Sequence, residues 1–422
     1  MEFKGGKAVG YRGKYVKTER LKVEDKAGKR VFPLLGDFSV PRLFLKSLFW
    51  MVLGMVKNRG KLKRYGTANT ALEFHHKRLL ALMEQDVPYH VDAQSLETYG
   101  RYDFGGKLKH NFSAHPKVDP VSGEMVCFGY NPTKNPYLQH SVVNKEGKVL
   151  CTLNINLEFP AMIHDFFICG ETSVFLIFPL IMSFAKVLQG KAGFHLDKTK
   201  PAKIGVLNRY AKSQEEIFWV EISNGYVFHT VNGWKEGNLL HLFAVKFDEF
   251  RLGSLGEDVR RKKEECQFLH KWVVDVSSKK LIYDDRLESP QDRRVCEFPV
   301  INPRYMGQKN RYTYVVHNDG VAMFRAVSKV DISVPSKVTL ELEEGCVCGE
   351  FAFGEKEGAS REDEGYLFSF VRDEKKAQSF LFVVDASSMK IACKLLIPAR
   401  VPHGFHGKWL SRKQMDSQIS NL

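Results

Sequence analysis

Fourteen histidines are the residues of this chain best suited to chemistry near neutral pH. An imidazole ligates transition metals through either ring nitrogen and changes charge within the physiological range. Four of them stand out by context, three having an aromatic or apolar residue just before them within apolar, strand-like runs. His115 lies in Phe112-Ser113-Ala114-His115-Pro116-Lys117, and His164 in Ala161-Met162-Ile163-His164-Asp165-Phe166. His229 lies in Tyr226-Val227-Phe228-His229-Thr230-Val231-Asn232, and His406 in Pro402-His403-Gly404-Phe405-His406-Gly407. A buried imidazole must find a partner, because an unpaired polar group costs free energy. Metal coordination and a hydrogen bond to a backbone carbonyl both supply one, and the second is commoner. Positions so far apart in the chain nominate a site without deciding between the two. His75 and His76 are adjacent and in a strand would face opposite ways. His90, His110, His140, His195, His241, His270, His317 and His403 lie near charged or turn residues and read as surface.

The elements that would position these residues are mostly strands. Short runs rich in Val, Ile, Phe and Tyr alternate with Gly, Asn, Asp and Ser turns after residue 65. Val273-Val274-Asp275-Val276-Ser277-Ser278-Lys279-Lys280 is echoed by Val383-Val384-Asp385-Ala386-Ser387-Ser388-Met389-Lys390, with looser versions at Ser141–Lys148 and Val327–Asp331. Each echo reads as strand, turn and return strand. Hairpins repeated over hundreds of residues predict an all-β fold, a propeller before a sandwich. With 422 residues, 44% hydrophobic and 27% charged, the chain has ample material for a core and is not disordered. No linker divides it, so one domain over 1–422 is expected.

Charge is concentrated at one end. Residues 1–65 hold 17 Lys/Arg against 5 Asp/Glu, an excess of 12 out of a net charge of +14. Such a block seeks a polyanion or an anionic membrane, and no nucleic-acid-binding motif accompanies it. Residues 43–56, Leu-Phe-Leu-Lys-Ser-Leu-Phe-Trp-Met-Val-Leu-Gly-Met-Val, form an apolar run between basic flanks. The run is shorter than the roughly 20 residues of a spanning helix and suits an interfacial one. A second apolar run covers 174–184. Segments 38–64 and 174–190 are therefore candidate membrane-docking caps, with Phe44, Leu45, Phe49, Trp50, Phe178 and Ile181 as contact residues. Eight cysteines without a CxxC pair indicate reduced thiols.

Several segments together resemble the carotenoid cleavage dioxygenases, the family that includes the retinoid isomerohydrolase of the eye. They are Gly66-Thr67-Ala68-Asn69-Thr70-Ala71-Leu72 with Leu79-Leu80-Ala81-Leu82-Met83-Glu84, Ala114-His115-Pro116-Lys117-Val118-Asp119-Pro120, Met162-Ile163-His164-Asp165-Phe166, Glu297-Phe298-Pro299-Val300-Ile301-Asn302-Pro303, Glu362-Asp363-Glu364-Gly365-Tyr366 and Arg400-Val401-Pro402-His403-Gly404-Phe405-His406-Gly407. The likeness runs in order from about Lys14 to Lys408, and the plant-type cytosolic 9,10(9′,10′)-cleaving branch is most similar. The resemblance implies a seven-bladed β-propeller with a helical cap on one face. It implies one Fe(II) per chain held by His115, His164, His229 and His406, with outer carboxylates pairing Glu84 to His164, Glu297 to His229 and Glu350 to His406. It also implies cleavage of one conjugated double bond of a carotenoid or apocarotenoid by O₂ into two carbonyl products.

Family members carry a segment ahead of the point where this sequence starts, so a propeller with an incomplete blade is expected. Asn232-Gly233-Trp234-Lys235-Glu236 reads as a turn that departs from the family pattern, as does the run Phe166-Phe167-Ile168-Cys169. Two alternative functions share the scaffold: a catalytically inactive, membrane-associated polyene binder, and an isomerase or isomerohydrolase. A cytoplasmic, peripherally membrane-associated location is expected, with a plastid location left open.

Overall fold

The computed structural model describes residues 1–4, 7–32, 64–189, 193–252, 267–287, 295–318, 323–334 and 336–419. The fold is all-β. Six antiparallel four-stranded units follow one another along the chain. The first comprises Ala71–His75, Arg78–Leu82, Tyr89–Val91 and Thr98–Arg101. The second comprises Lys117–Val118, Met125–Tyr130, Leu138–Val143 and Val149–Ile155. Phe166–Cys169, Thr172–Ile177, Ala202–Asn208 and Phe218–Ile222 form the third. Tyr226–Glu236, Leu239–Phe247, Gln267–Asp275 and Lys280–Arg286 form the fourth. The fifth runs Val295–Val300, Tyr312–Asn318, Phe324–Asp331 and Ser336–Glu341. In the sixth the first strand is broken into Cys346–Cys348 and Ala352–Glu355, followed by Gly365–Asp373, Gln378–Asp385 and Lys390–Ile397. One pair, Phe324 with Cys348, joins the last two units. Six units among the described residues compare with the seven blades expected.

The echoed segments form one recurring device. In every unit an Asp or Asn at or just beyond the end of the third strand accepts a backbone N–H within the following turn. Asp92 accepts from Gln94, Asn144 from Lys148, Asn208 from Tyr210, Asp275 from Ser277, Asp331 from Ser333 and Asp385 from Ser388. These side-chain bonds bend the backbone locally and fix the turn. Lys279 and Met389, at matching places in two turns, have φ of 55° and 53°. The echo noted in the sequence covers four of the six turns; Val91-Asp92-Ala93-Gln94-Ser95 is a further close copy of Val384-Asp385-Ala386-Ser387-Ser388, while the turn at Asn208 departs from the pattern.

The apolar run at 174–184 has a different explanation from the membrane cap expected of it. Val174–Ile177 belong to an interior strand of the third unit, hydrogen-bonded on both sides. Val174 and Leu176 enter one apolar cluster while Phe175 and Ile177 enter another. Both faces are covered, so the strand reads as a continuous hydrophobic run. Phe178 is 1% exposed and is a core residue, not a membrane contact. Ile181, half-buried in strand Leu180–Met182, packs against the second of those clusters. Among the described residues of segment 174–190, only Phe184–Leu188 is helical. Phe44, Leu45, Phe49 and Trp50, and segment 38–64 apart from its last residue, lie outside the described residues. No helix among the described residues is long and apolar enough to cross a membrane. Asn232–Glu236 continues the long strand Tyr226–Glu236 rather than turning, and Phe166–Cys169 is a buried strand.

The last described stretch returns from the sixth unit to the first. Val401 N–H donates to Ser379, and Trp409 stacks on Phe368 with centroids 4.3 Å apart. From the same stretch His406 N–H donates to Thr70 O, Lys408 reaches Glu73, and Gln418 is bound to both Ala93 and Val91. This strap ties the two terminal units together.

Candidate metal centre

Side chains from the beginnings of successive units meet at one point. His115 lies two residues before the first strand of the second unit and His164 two before that of the third, while His229 lies within that of the fourth. Glu297 lies in the first strand of the fifth unit and Glu350 in the break of the sixth. Glu84 follows the second strand of the first unit, and His406 comes from the strap. The strand bearing His229 is bulged, with its pairing register shifting between Val227 and Thr230 and again between Thr230 and Asn232. Bulges of this kind re-aim a side chain next to a functional site.

One ligand atom from each of His115, His164, His229 and His406 lies within 4.8 Å of the other three. The Nε2 atoms of His115 and His164 are 3.0 Å apart. Two metal–imidazole bonds of about 2.1 Å at a right angle give about that separation. His229 Nε2 is buried and has no hydrogen-bond partner, a costly arrangement unless something binds there. The donor set is four imidazoles, which suits Fe, Cu, Ni or Zn rather than Mg or Ca.

Three of the four rings are held from behind by carboxylates. Glu84 Oε1 pairs with His164 Nδ1. Glu297 Oε2 is 2.6 Å from His229 Nδ1, and Glu350 Oε1 is 2.9 Å from His406 Nδ1. A carboxylate on Nδ1 fixes the tautomer, leaves the Nε2 lone pair free and raises ligand basicity. Each carboxylate is itself held. Tyr130 Oη donates to Glu84 at 2.9 Å, Phe298 N–H to Glu297 at 2.5 Å and Gly407 N–H to Glu350 at 3.0 Å. The peptide at Phe298 adopts a left-handed φ of 48° to make its bond.

The electrostatics follow from this pairing. Burial, then the neighbouring His406, His164 and His229, hold the His115 imidazole well below its usual pKa. Burial also lowers His229, opposed by Glu297. At His164 burial acts downward, but Glu84 outweighs it and the pKa is raised. Burial would raise Glu297, yet His229 and the Phe298 N–H bring it below the usual carboxylate range. Burial and Glu84 push Tyr130 well up, so it stays a proton donor.

Aromatic rings flank the imidazoles. Phe228 lies 5.1 Å from His164, and Phe298 lies 5.1 Å from His229 and 5.3 Å from His406. Tyr226, Phe247 and Phe250 extend the wall beyond Phe228. A cavity of about 380 Å³ between the first and sixth units reaches Glu350 and His406, with Leu72, Phe370 and Trp409 in its lining.

The structure brings together every histidine and glutamate nominated from the sequence. It differs for the histidines read as surface. His90, His110, His140, His270 and His317 are buried. His110 and His140 bind Ser141 and Ser173, His270 binds Asp284 and His317 binds Ser328. Sequence reasoning passed over Tyr130, Phe298 and Asp165 as parts of the site. Only Asp165 left a signal, a charge between Ile163 and Phe166 in an apolar run.

The family model described as retinal pigment epithelial membrane protein matches residues 1–411. The chain is 35% identical over 454 residues to a carotenoid 9,10(9′,10′)-cleavage dioxygenase 1 of Phaseolus vulgaris, covering 99% of this chain and 80% of the relative. Identity to the protein of the same name in Arabidopsis thaliana is also 35%, with the same coverage. Among solved structures, an apocarotenoid oxygenase of Synechocystis superposes with a TM-score of 0.78 at 25% identity, covering 94% of this chain and 83% of that one. A lignostilbene dioxygenase of Pseudomonas brassicacearum gives the same TM-score at 23% identity and shows the shared fold. The chain therefore belongs to the retinal pigment epithelial membrane protein family, the carotenoid oxygenases.

Proposed function

We propose that this protein is a non-haem Fe(II)-dependent dioxygenase that cleaves one conjugated double bond of a carotenoid or apocarotenoid. The observation that carries the reading is the convergence of four imidazoles, three of them braced by carboxylates. His115, His164, His229 and His406 would hold the ion. Bound iron would supply the activation of O₂. Both oxygen atoms end in the two carbonyl products, so the reaction needs no external reductant.

The protein's own residues provide the rest. Glu84, Glu297 and Glu350 orient three imidazoles with Nδ1 toward the carboxylate and Nε2 toward the ion, and their charges offset that of a dication. Phe228 and Phe298 offer apolar walls to a flat polyene beside the ion, and such walls exclude water. The relatives' names make the 9,10 bond the first to assay. The same reading takes the six units as blades of a seven-bladed propeller. The strap and the N-terminal hairpin of Glu2–Lys4 and Lys7–Gly10 stand at the seventh position, a placement supported by Met1 lining the cavity between Leu72 and Phe368. Docking of residues 43–56 on a membrane completes it, supported by their apolar run and basic flanks, because the substrate dissolves in lipid.

The test is iron per chain on purified protein, followed by oxygen uptake with detergent-solubilised β-apo-carotenal and identification of the aldehydes. About one iron with matched uptake and two carbonyl products is expected. Iron with altered double-bond geometry and no uptake would replace the reading by isomerisation. Folded protein that takes up no iron after reconstitution would replace it by polyene binding.

A further inference from the structure

Behind the imidazoles a second polar cluster is enclosed between the second, third and fourth units. At its centre is Asp165, whose side chain is 2% exposed. Its Oδ1 accepts from Lys117 Nζ at 2.7 Å and from its neighbour Phe166 N–H at 2.8 Å. Its Oδ2 accepts from Thr230 N–H at 2.8 Å and Thr230 Oγ1 at 2.7 Å. A carboxylate has about four acceptor positions, and all are used.

The placement of these partners is the informative part. Lys117 is two residues after His115, Asp165 one after His164 and Thr230 one after His229. One carboxylate thus joins three chain segments, each bearing a candidate metal ligand. The lysine and the aspartate compensate each other, so the cluster brings no net charge to the centre, and what it supplies as a whole is position. A buried ion pair is weak evidence for stability, while a bulged strand needs something to hold its register. A one-residue slip would send His229 to the opposite face, and Thr230 stands between the two shifts of that strand.

We propose that Asp165 is a positioning residue that sets the mutual spacing of His115, His164 and His229, and with it the metal affinity and coordination geometry of the centre. This inference rests on the metal-centre reading above. His406 is outside its reach and is positioned by the strap and Glu350.

The test uses the full chain stripped of metal and titrated with Co²⁺, whose visible absorption reports ligand geometry. Wild type is expected to bind one Co²⁺ per chain. Asp165→Asn and Lys117→Met are each expected to weaken Co²⁺ binding about 10- to 100-fold, the usual range for groups that orient ligands, and to change the spectrum. The double variant should lose little more than the worse single one, because the pair acts as a unit. Thr230→Val keeps the backbone donor and loses the hydroxyl, so about a 5-fold loss is expected. This variant is the mildest and decides the matter if the others do not fold. Folded variants that bind Co²⁺ within two-fold of wild type, with the same spectrum, would overturn the proposal alone. A wild-type chain that takes up neither Co²⁺ nor Fe²⁺ would overturn the metal-centre reading and this inference with it.

Discussion

Two groups of enclosed histidines can be set side by side. His140, His270 and His317 lie on strands of the units and His110 just ahead of the second unit, and each has a ring nitrogen bonded to a strand side chain of the same unit or the next one. His115, His164, His229 and His406 lie where the units meet, and their ring centroids approach to between 4.5 and 5.3 Å. Residue type is shared by both groups, and burial is not what marks the second, since His115, His164 and His406 are only part-buried while His229 is buried. The difference is direction. In the second group three Nδ1 atoms are taken by glutamates, which turns the opposite nitrogens toward a common point. His270 shows that a carboxylate partner is not sufficient: its Nε2 is 2.7 Å from Asp284, but no second imidazole is directed to the same place. A metal centre is distinguished by convergence, and a structural histidine by local pairing.

The sharpest way to break this contrast is to remove one ring from each group. His164→Ala should reduce iron to background and oxygen uptake by more than about 100-fold, beyond the usual effect of an outer partner. His140→Leu, measured by the same metal analysis, should leave iron at the wild-type level. Equal iron loss in both variants would dissolve the distinction. Next in size is a matched pair of carboxylate changes. Glu297→Gln should weaken iron binding about 10- to 100-fold, whereas Asp284→Asn on the other kind of histidine should not alter it. Equilibrium dialysis of the two proteins decides this.

The smaller effects concern stability. His140→Leu leaves the Ser173 hydroxyl without its partner, so a loss of about 1–3 kcal/mol is expected by urea denaturation of metal-free protein. The same method tests the pH dependence. Burial lowers His140 to about 3 and His110 to about 4, below the unfolded value of 6.5. Between those values and pH 6.5 the unfolded chain binds more protons. Stability is therefore fully present above pH 6.5 and falls as pH drops toward 4, by at most about 1.4 kcal/mol per pH unit for each histidine. His140→Leu should make the slope shallower between pH 6.5 and 5. An unchanged slope would mean that this imidazole is not held neutral by the fold.

These contrasts also show where the sequence was informative. Three of the four ligand candidates stand in apolar runs, and the family likeness adds His406 and links Glu84, Glu297 and Glu350 to the rings; the structure brings each named pair into contact. Burial of His140 was hidden, because its neighbours Gln139 and Ser141 are polar and the group that covers it, Ser173, is 33 residues away. Phe178 misled for the opposite reason. A strand buried on both faces and a lipid-facing segment both read as unbroken apolar runs, and only the flanking strands separate them. The role of Asp165 depends on Thr230, 65 residues away in another unit, a distance that local pattern does not bridge.

The strap that returns to the first unit has a consequence for timing. Of the four candidate ligands, His406 is the last to be synthesised, 177 positions after His229. A ribosome that has released the first four units has made only three of the donors. The complete set of four imidazoles therefore waits until the strap has emerged and seated against Thr70 and Glu73. An unfinished chain would present an incomplete donor set, so retention of an ion at this site would report that the strap has seated.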